Sequence, residues 1–451
     1  MTTNQKFNEL TSFLEEQMLV LGVPGVAFGI LQNGETQIRG LGVTNVNHPL
    51  PVTADTLFQI GSNTKTFTGT LIMMLAQDEL VELDRPVSHY LPEFRVQDEA
   101  ATRGATVRHL LNHTAGWVGD LFEDTGMGDD AKARYVALMA DLEQLAPFGH
   151  HFSYNNAAFG VAGRIIEKVT GKLYEEVIQE RIFDPLGMTH SYFDPGDVMI
   201  HRFAVGHRKG EAGPEVGFPW PLPRYAYSVG AITCTVADLL RYAQFYLAGG
   251  KSANGEQLLT AESIAQLWSD GVEIDPGAGR MGVSWFRRDI AGVRTHRHGG
   301  ATVGQISEFV ILPEQQAAYA IFTNADSGRQ LNSAASKWIM ANYFDASEPD
   351  PQQDDTADLA PYAGKYSRPM IDIDLSYADG ELTGIVTAKR GFPSRNSPVQ
   401  PPSPPFQLVA LEDGDLWVPD GPFKGTRGHI IRTENGAIDY LRFGLRLHKR
   451  Q

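Results

Sequence analysis

The feature that most constrains this 451-residue chain is a break in texture at residues 346–357, ASEPDPQQDDTA. The segment is acidic, Pro-bearing and without apolar periodicity, so it reads as a linker between two bodies. Beyond it come short alternating runs: Ile371–Tyr377, Leu382–Val386, Phe406–Leu411, Leu416–Val418, His429–Thr433 and Tyr440–Leu447. Gly and Asp-Gly punctuation separates them, the pattern of a small antiparallel β-barrel over residues 358–451. Pro398–Pro405 (PVQPPSPP) reads as an insertion between two of its strands. From Asp358 onward there are 12 basic and 11 acidic residues, leaving 26 basic against 43 acidic on the rest. The net charge of -16 therefore sits almost wholly on residues 1–357.

Residues 1–345 mix helix and strand periodicities, as expected of a larger α+β body. Leu10, Leu14, Met18 and Leu21 share one helix face within Phe7–Leu21. Gly25–Leu31 reads as a buried strand, Asn33-Gly34 as a hairpin turn, and Gln37–Leu41 as the return. Helical spacing recurs over Thr66–Leu80 and Asn156–Thr170, the second stopped by Gly171. Two strands are expected within Gln305–Asn324 around Pro313–Gln316, then a closing helix over Ala334–Phe344. Gly126–Asp130 reads as a surface loop.

Several function classes fall away on composition. A surface this acidic repels nucleic acid and anionic membranes. The single cysteine, Cys234, forms no internal disulfide and is compatible with a reducing compartment. The start Met1-Thr2-Thr3-Asn4-Gln5-Lys6-Phe7 lacks a basic and then apolar leader, and no apolar run approaches the ~18 residues of a membrane span. A cytoplasmic address is expected; the oligomeric state stays open.

Three short elements carry chemistry. In Ser62-Asn63-Thr64-Lys65, a helix start would bring the amine three residues on within reach of the hydroxyl. A serine attacks only when a base takes its proton, and a lysine becomes that base when its pKa is lowered. Read alone, this is more simply an ordinary helix start. In Phe152-Ser153-Tyr154-Asn155-Asn156, a tyrosine beside an ammonium can relay a proton, and Asn156 can hold a substrate amide. The bland alternative is a tyrosine and an N-cap. In His298-Gly299-Gly300-Ala301, the glycines let substrate backbone approach a strand edge, and an N–H after them can face an oxyanion. A tight turn with a surface histidine is the other reading.

Taken in order, Ser62-x-x-Lys65, Tyr154-x-Asn156 and His298-x-Gly300 resemble the three-part signature of the penicillin-binding-protein and class C β-lactamase family of serine hydrolases. Phe58–Gly61, Leu110–Gly116, Pro185–Thr189 and Ser228–Ala231 match as well, so the resemblance spans about residues 8–344. It implies a β-lactamase/transpeptidase-like fold: an antiparallel sheet flanked by helices, a helical lobe, and the site between. It also implies Ser62 as acylated nucleophile, Lys65 and Tyr154 as general acid and base, and Asn156 as substrate binder. Ser62 and Ala301 would supply the oxyanion N–H groups. The family's third motif usually opens with lysine; His298 stands there instead, and a neutral histidine attracts a substrate carboxylate less. The H-x-G form resembles the D-aminopeptidase branch, which carries C-terminal barrels, and Asp358–Tyr366 looks like the opening of one.

The expected activity is cleavage of amide or peptide bonds in a small-molecule or short-peptide substrate, D-aminopeptidase-like. A carboxylesterase with the same serine is the alternative; a β-lactamase, a DD-carboxypeptidase and a non-catalytic binding protein rank lower. No cofactor is implied. His109 and His113 stand four apart, and His296 lies close to His298, but no H-E-x-x-H or cysteine cluster points to a metal. Ala226–Gly230 imitates a nucleophile elbow without its first glycine, which makes Ser228 structural or cleft-lining. Trp220 and Tyr225, among prolines, suit either an apolar wall or simple packing.

Overall fold

A computed structural model describes residues 3–275, 279–391 and 397–451. Eight strands form one antiparallel sheet in the order Glu35–Gly42, Gly25–Gln32, Ala317–Thr323, Ile306–Leu312, Val293–Ala301, Phe286–Ile290, Gly279–Met281, Val272–Asp275. The fold is therefore of β-lactamase/transpeptidase type, with helices on both faces of the sheet. Gly25–Gln32 is buried along almost its whole length, and alternation explains why. Val26, Phe28 and Ile30 enter the core beneath the helices Thr3–Leu21 and Gly328–Phe344, whereas Ala27 and Leu31 join the large core of the helical layer. Successive strand side chains point to opposite faces, so a strand covered on both sides is apolar at every position.

The local signals held at their ends. Asn33 and Gly34 take φ of 53° and 83°, the left-handed pair a two-residue hairpin needs. The helix Asn156–Thr170 has the expected bounds, with Gly171 left-handed at its end. The last helix begins earlier than expected, at Gly328. The first two residues of the N-terminal reading, Met1 and Thr2, lie outside the described residues.

Eight antiparallel strands from Gly364 to Arg450 close into a barrel around Tyr366, Ile373, Leu382, Leu408, Leu416 and Leu441. Six alternating segments were expected. The addition that matters is at the end, where Tyr440–Leu447 is no single strand. It breaks into Ile438–Phe443 and Arg446–Arg450, because Gly444 and Leu445 turn with φ of 57° and 67°. This hairpin tip leaves the barrel and packs beside Phe152, Tyr154, Ile274 and Met281. Residues 346–357 hold neither helix nor strand, yet they are anchored. Ala346 is buried, Glu348 pairs with Arg288, and the Asp354 N–H donates to Ala410 O at 3.0 Å.

Candidate active site

The turn bearing Ser62 is fixed from both sides. Gly61, at φ +51°, lets the chain bend where a Cβ would lie 2.5 Å from the Ala301 nitrogen. Ser62 follows in the single 3-10 turn Gly61–Asn63, ahead of the helix Thr64–Gln77. Asn63 Nδ2 donates to Ser307 Oγ at 2.7 Å, and Ser307 Oγ donates to Ile60 O at 2.7 Å, pinning the turn to the Ile306–Leu312 strand. Ser62 stays partly exposed while Lys65 is wholly buried.

The sequence spacing of three becomes contact. Lys65 Nζ lies 2.9 Å from Ser62 Oγ and donates to Val229 O at 2.8 Å. The Tyr154 phenol lies beside Ser62, and Lys65 Nζ sits 5.1 Å from the centre of the Tyr154 ring. Burial, then the Arg446 charge, hold the Lys65 ammonium well below the ordinary lysine range, against a smaller opposing pull from Asp120. Burial raises the Tyr154 phenol above its usual range despite the opposing pulls of Ser62 and Arg446. The phenol is thus protonated at neutral pH.

His298, Gly300 and Ala301 lie on the Val293–Ala301 strand, opposite Phe309, Ser307 and Ile306. A Cβ on Gly300 would overlap the Ile60 carbonyl oxygen, so only glycine lets this strand reach the serine turn. His298 is buried rather than on the surface, and burial with the Lys65 charge lowers it to about 3. It is neutral and supplies no cation.

Asn156 opens its helix, and Asn155 before it is the N-cap, its side chain accepting from the Ala158 N–H. Asn156 Nδ2 donates to Asp120 Oδ1 at 3.0 Å. Asp120 escaped the sequence reading, as did its other partners, Arg368 and Arg446 of the barrel. Arg446 Nε and Arg368 Nη1 each lie 2.7 Å from Asp120 Oδ2, and Arg446 Nη2 lies 3.0 Å from Oδ1. Burial alone would raise the Asp120 carboxyl; the charges of Arg446 and then Arg368 hold it far below the usual carboxylate range. The Arg446 guanidinium also lies 5.1 Å from the centre of the Tyr154 ring, and the Tyr154 N–H donates to Leu445 O at 2.8 Å. A lone carboxylate in the apolar run Trp117-Val118-Gly119-Asp120-Leu121 was the available signal.

Ser228 is buried and donates to Phe159 O at 2.9 Å, a structural bond. Tyr225 stacks on Tyr135 at 3.9 Å, and Trp220 packs on Phe203. His109 caps the helix Val107–Leu111 through the Thr106 N–H. Among the described residues, no helix is long and apolar enough to cross a membrane.

Fold and site together define a β-lactamase-type serine hydrolase. The chain belongs to the Beta-lactamase family, whose model matches residues 10–340. It is 32% identical over 363 residues to "Penicillin-binding protein 4" of Amycolatopsis lactamdurans, covering 77% of this chain and 93% of that one. Among solved structures, SurE with D-Leu superposes with a TM-score of 0.77 at 22% identity, over 99% of this chain and 100% of SurE. The D-amino acid amidase of Ochrobactrum anthropi SV3, complexed with L-phenylalanine amide, gives 0.62 at 22% identity, over 74% of this chain and 99% of the amidase.

Proposed function

We propose that the protein cleaves amide or peptide bonds of small substrates, D-aminopeptidase-like, through an acyl-enzyme on Ser62. One observation carries this reading: the Lys65 amine lies 2.9 Å from the Ser62 hydroxyl, with the Tyr154 phenol beside the same serine. A buried lysine of lowered pKa is neutral often enough to act as base near neutral pH. Lys65 takes the proton as Ser62 Oγ bonds to the carbonyl carbon. The N–H groups of Ser62 and Ala301 stabilise the oxyanion. Tyr154, kept protonated by burial, gives its proton to the leaving nitrogen and recovers one from Lys65 as the C–N bond breaks. Water then attacks the ester by the reverse relay, releasing the acid and restoring Ser62.

Asn156 binds a substrate amide with what Asp120 leaves free, its Oδ1 and its second Nδ2 hydrogen. Neutral His298 offers no charge where the family uses lysine, which disfavours β-lactams and DD-carboxypeptidase substrates. The likeness to a D-amino acid amidase supports an amide substrate of D configuration. The barrel, residues 358–451, shapes the cleft through the hairpin tip that bonds Tyr154.

A fluorophosphonate probe should add its mass to Ser62 and fail to do so in Ser62→Ala. Labelling at another residue, or none on folded protein, would refute the mechanism. D-alanyl anilides should turn over in preference to nitrophenyl esters; the reverse ratio would make the protein an esterase.

A further inference from the structure

Two buried histidines flank Tyr154, and each ends in a ring nitrogen that has no hydrogen-bond partner among the described residues. Their proton positions are opposite. His113 Nδ1 accepts from the Asn155 backbone N–H at 2.9 Å, so that nitrogen is bare. The ring is wholly buried, and burial first, then the Lys65 charge, disfavours its cation, so the neutral ring carries its one proton on Nε2. His298 Nδ1 faces Gly299 O at 2.6 Å, and a carbonyl oxygen only accepts. His298 therefore carries its proton on Nδ1 and presents a bare Nε2.

An enclosed donor without an acceptor thus stands near an enclosed acceptor without a donor. Buried polar groups in folded chains are overwhelmingly paired, so the coincidence calls for a link. Both rings adjoin one phenol: His113 stacks on Tyr154 with centroids 4.2 Å apart at 27°, and His298 lies 6.2 Å from the same ring. His113 also holds φ +60°, a left-handed conformation that a non-glycine residue keeps only where its surroundings enforce it. The bonds at its ring and at its carbonyl oxygen, which accepts from the Ser153 N–H at 2.9 Å, do so here.

We propose that His113 Nε2–H and His298 Nε2 are joined through one enclosed water, and that His113 is thereby a positioning residue for Tyr154 and the His298–Ala301 strand end. The catalytic part of this statement rests on the serine-hydrolase reading above; the bond itself does not. His113 touches no reacting atom. It fixes the phenol's face and, through His298, the strand that presents the Ala301 N–H.

The test uses full-length protein labelled with 15N-histidine, with His113→Phe and His298→Phe assigning the spectrum. His113 should be protonated at Nε2 and His298 at Nδ1, and His298→Phe should shift the His113 Nε2 proton. A His113 proton on Nδ1, or an Nε2 proton indifferent to His298→Phe, would overturn the proposal. In kinetics, His113→Phe keeps the stacking but should lower kcat about tenfold or more with KM little changed. The double variant should be no slower than the slower single, because both remove one link. Wild-type kcat in His113→Phe, or fully multiplicative losses, would refute the positioning role. Absence of Ser62 labelling would instead sink the hydrolase reading and leave the nuclear-resonance result to decide the bond.

Discussion

Asp120→Asn isolates the charge cluster that ties the barrel to the candidate active site. The Asp120 side chain is 6% exposed and that of Arg368 9%, so both charges are withdrawn from water, while Arg446 keeps 26%. One carboxylate faces two guanidinium groups. Removing the acid leaves the buried Arg368 and the half-buried Arg446 as like charges without a counterion, a loss of about 3–5 kcal/mol where one partner of a buried pair is deleted. Removing Arg446 leaves Arg368 and Asp120 as a neutral pair, and Arg446 is the better solvated, so Arg446→Met should cost less. The expected order of stability is wild type, Arg446→Met, Asp120→Asn. Urea unfolding at pH 7, followed by tryptophan fluorescence and by near-ultraviolet dichroism, measures it. The pH dependence has a definite sign. The folded Asp120 pKa is depressed, so its contribution is complete above the unfolded value of about 3.9 and fades as pH falls toward the folded one. The gap between wild type and Asp120→Asn should therefore be full at pH 7 and narrow below about pH 4. A gap under about 0.5 kcal/mol at pH 7, the scale of an ordinary surface change, or one that widens in acid, would refute this account of the cluster.

Further outcomes follow from the same geometry. Arg446→Gln removes a cation that depresses Lys65, so the acid limb of the kcat/KM profile should move to higher pH. An unmoved limb would mean that Lys65 is not the titrating base. Gly300→Ala should drive the strand away from the Ile60 carbonyl, costing about 1–3 kcal/mol of stability and most of the activity; a melting curve and turnover at saturating substrate check both. Leu445→Pro leaves the Leu445 carbonyl that accepts from the Tyr154 N–H but forbids the left-handed turn, because proline fixes φ near −65°. Loss of kcat with the barrel still folded by circular dichroism is expected, and wild-type turnover would show the tip to be ornamental.

What the sequence revealed and what it hid divide along range. Asn33-Gly34, Gly171 and the Ser62–Lys65 spacing are decided within a few residues, by backbone conformations and helix pitch, and each appears where local rules put it. Tyr440–Leu447 shows the failure. Its apolar residues alternate well enough for one strand, and the single Gly444 was too weak a signal against that pattern. Only pairing with Arg446–Arg450 and docking at Phe152–Tyr154 make a hairpin of it. Asp120 and Arg446 are 326 residues apart, and no spacing rule connects positions so distant.

The hairpin changes how the barrel should be regarded. The amidase aligns over 74% of this chain yet is itself covered to 99%, so nearly all of that enzyme corresponds to part of this one. Here the backbone beside the phenol is bound by Leu445, the partner of Asn156 is neutralised by Arg446 and Arg368, and the depressed lysine owes part of its shift to Arg446. Each of those barrel groups touches or biases a residue of the Ser62 site rather than a remote surface. A barrel that merely covered the cleft could be loosened with a change in substrate access alone. One that sets the charge balance of Lys65 and the backbone of Tyr154 cannot move without altering the pH profile. That difference makes the acid limb of Arg446→Gln the sharper measure of what the barrel does.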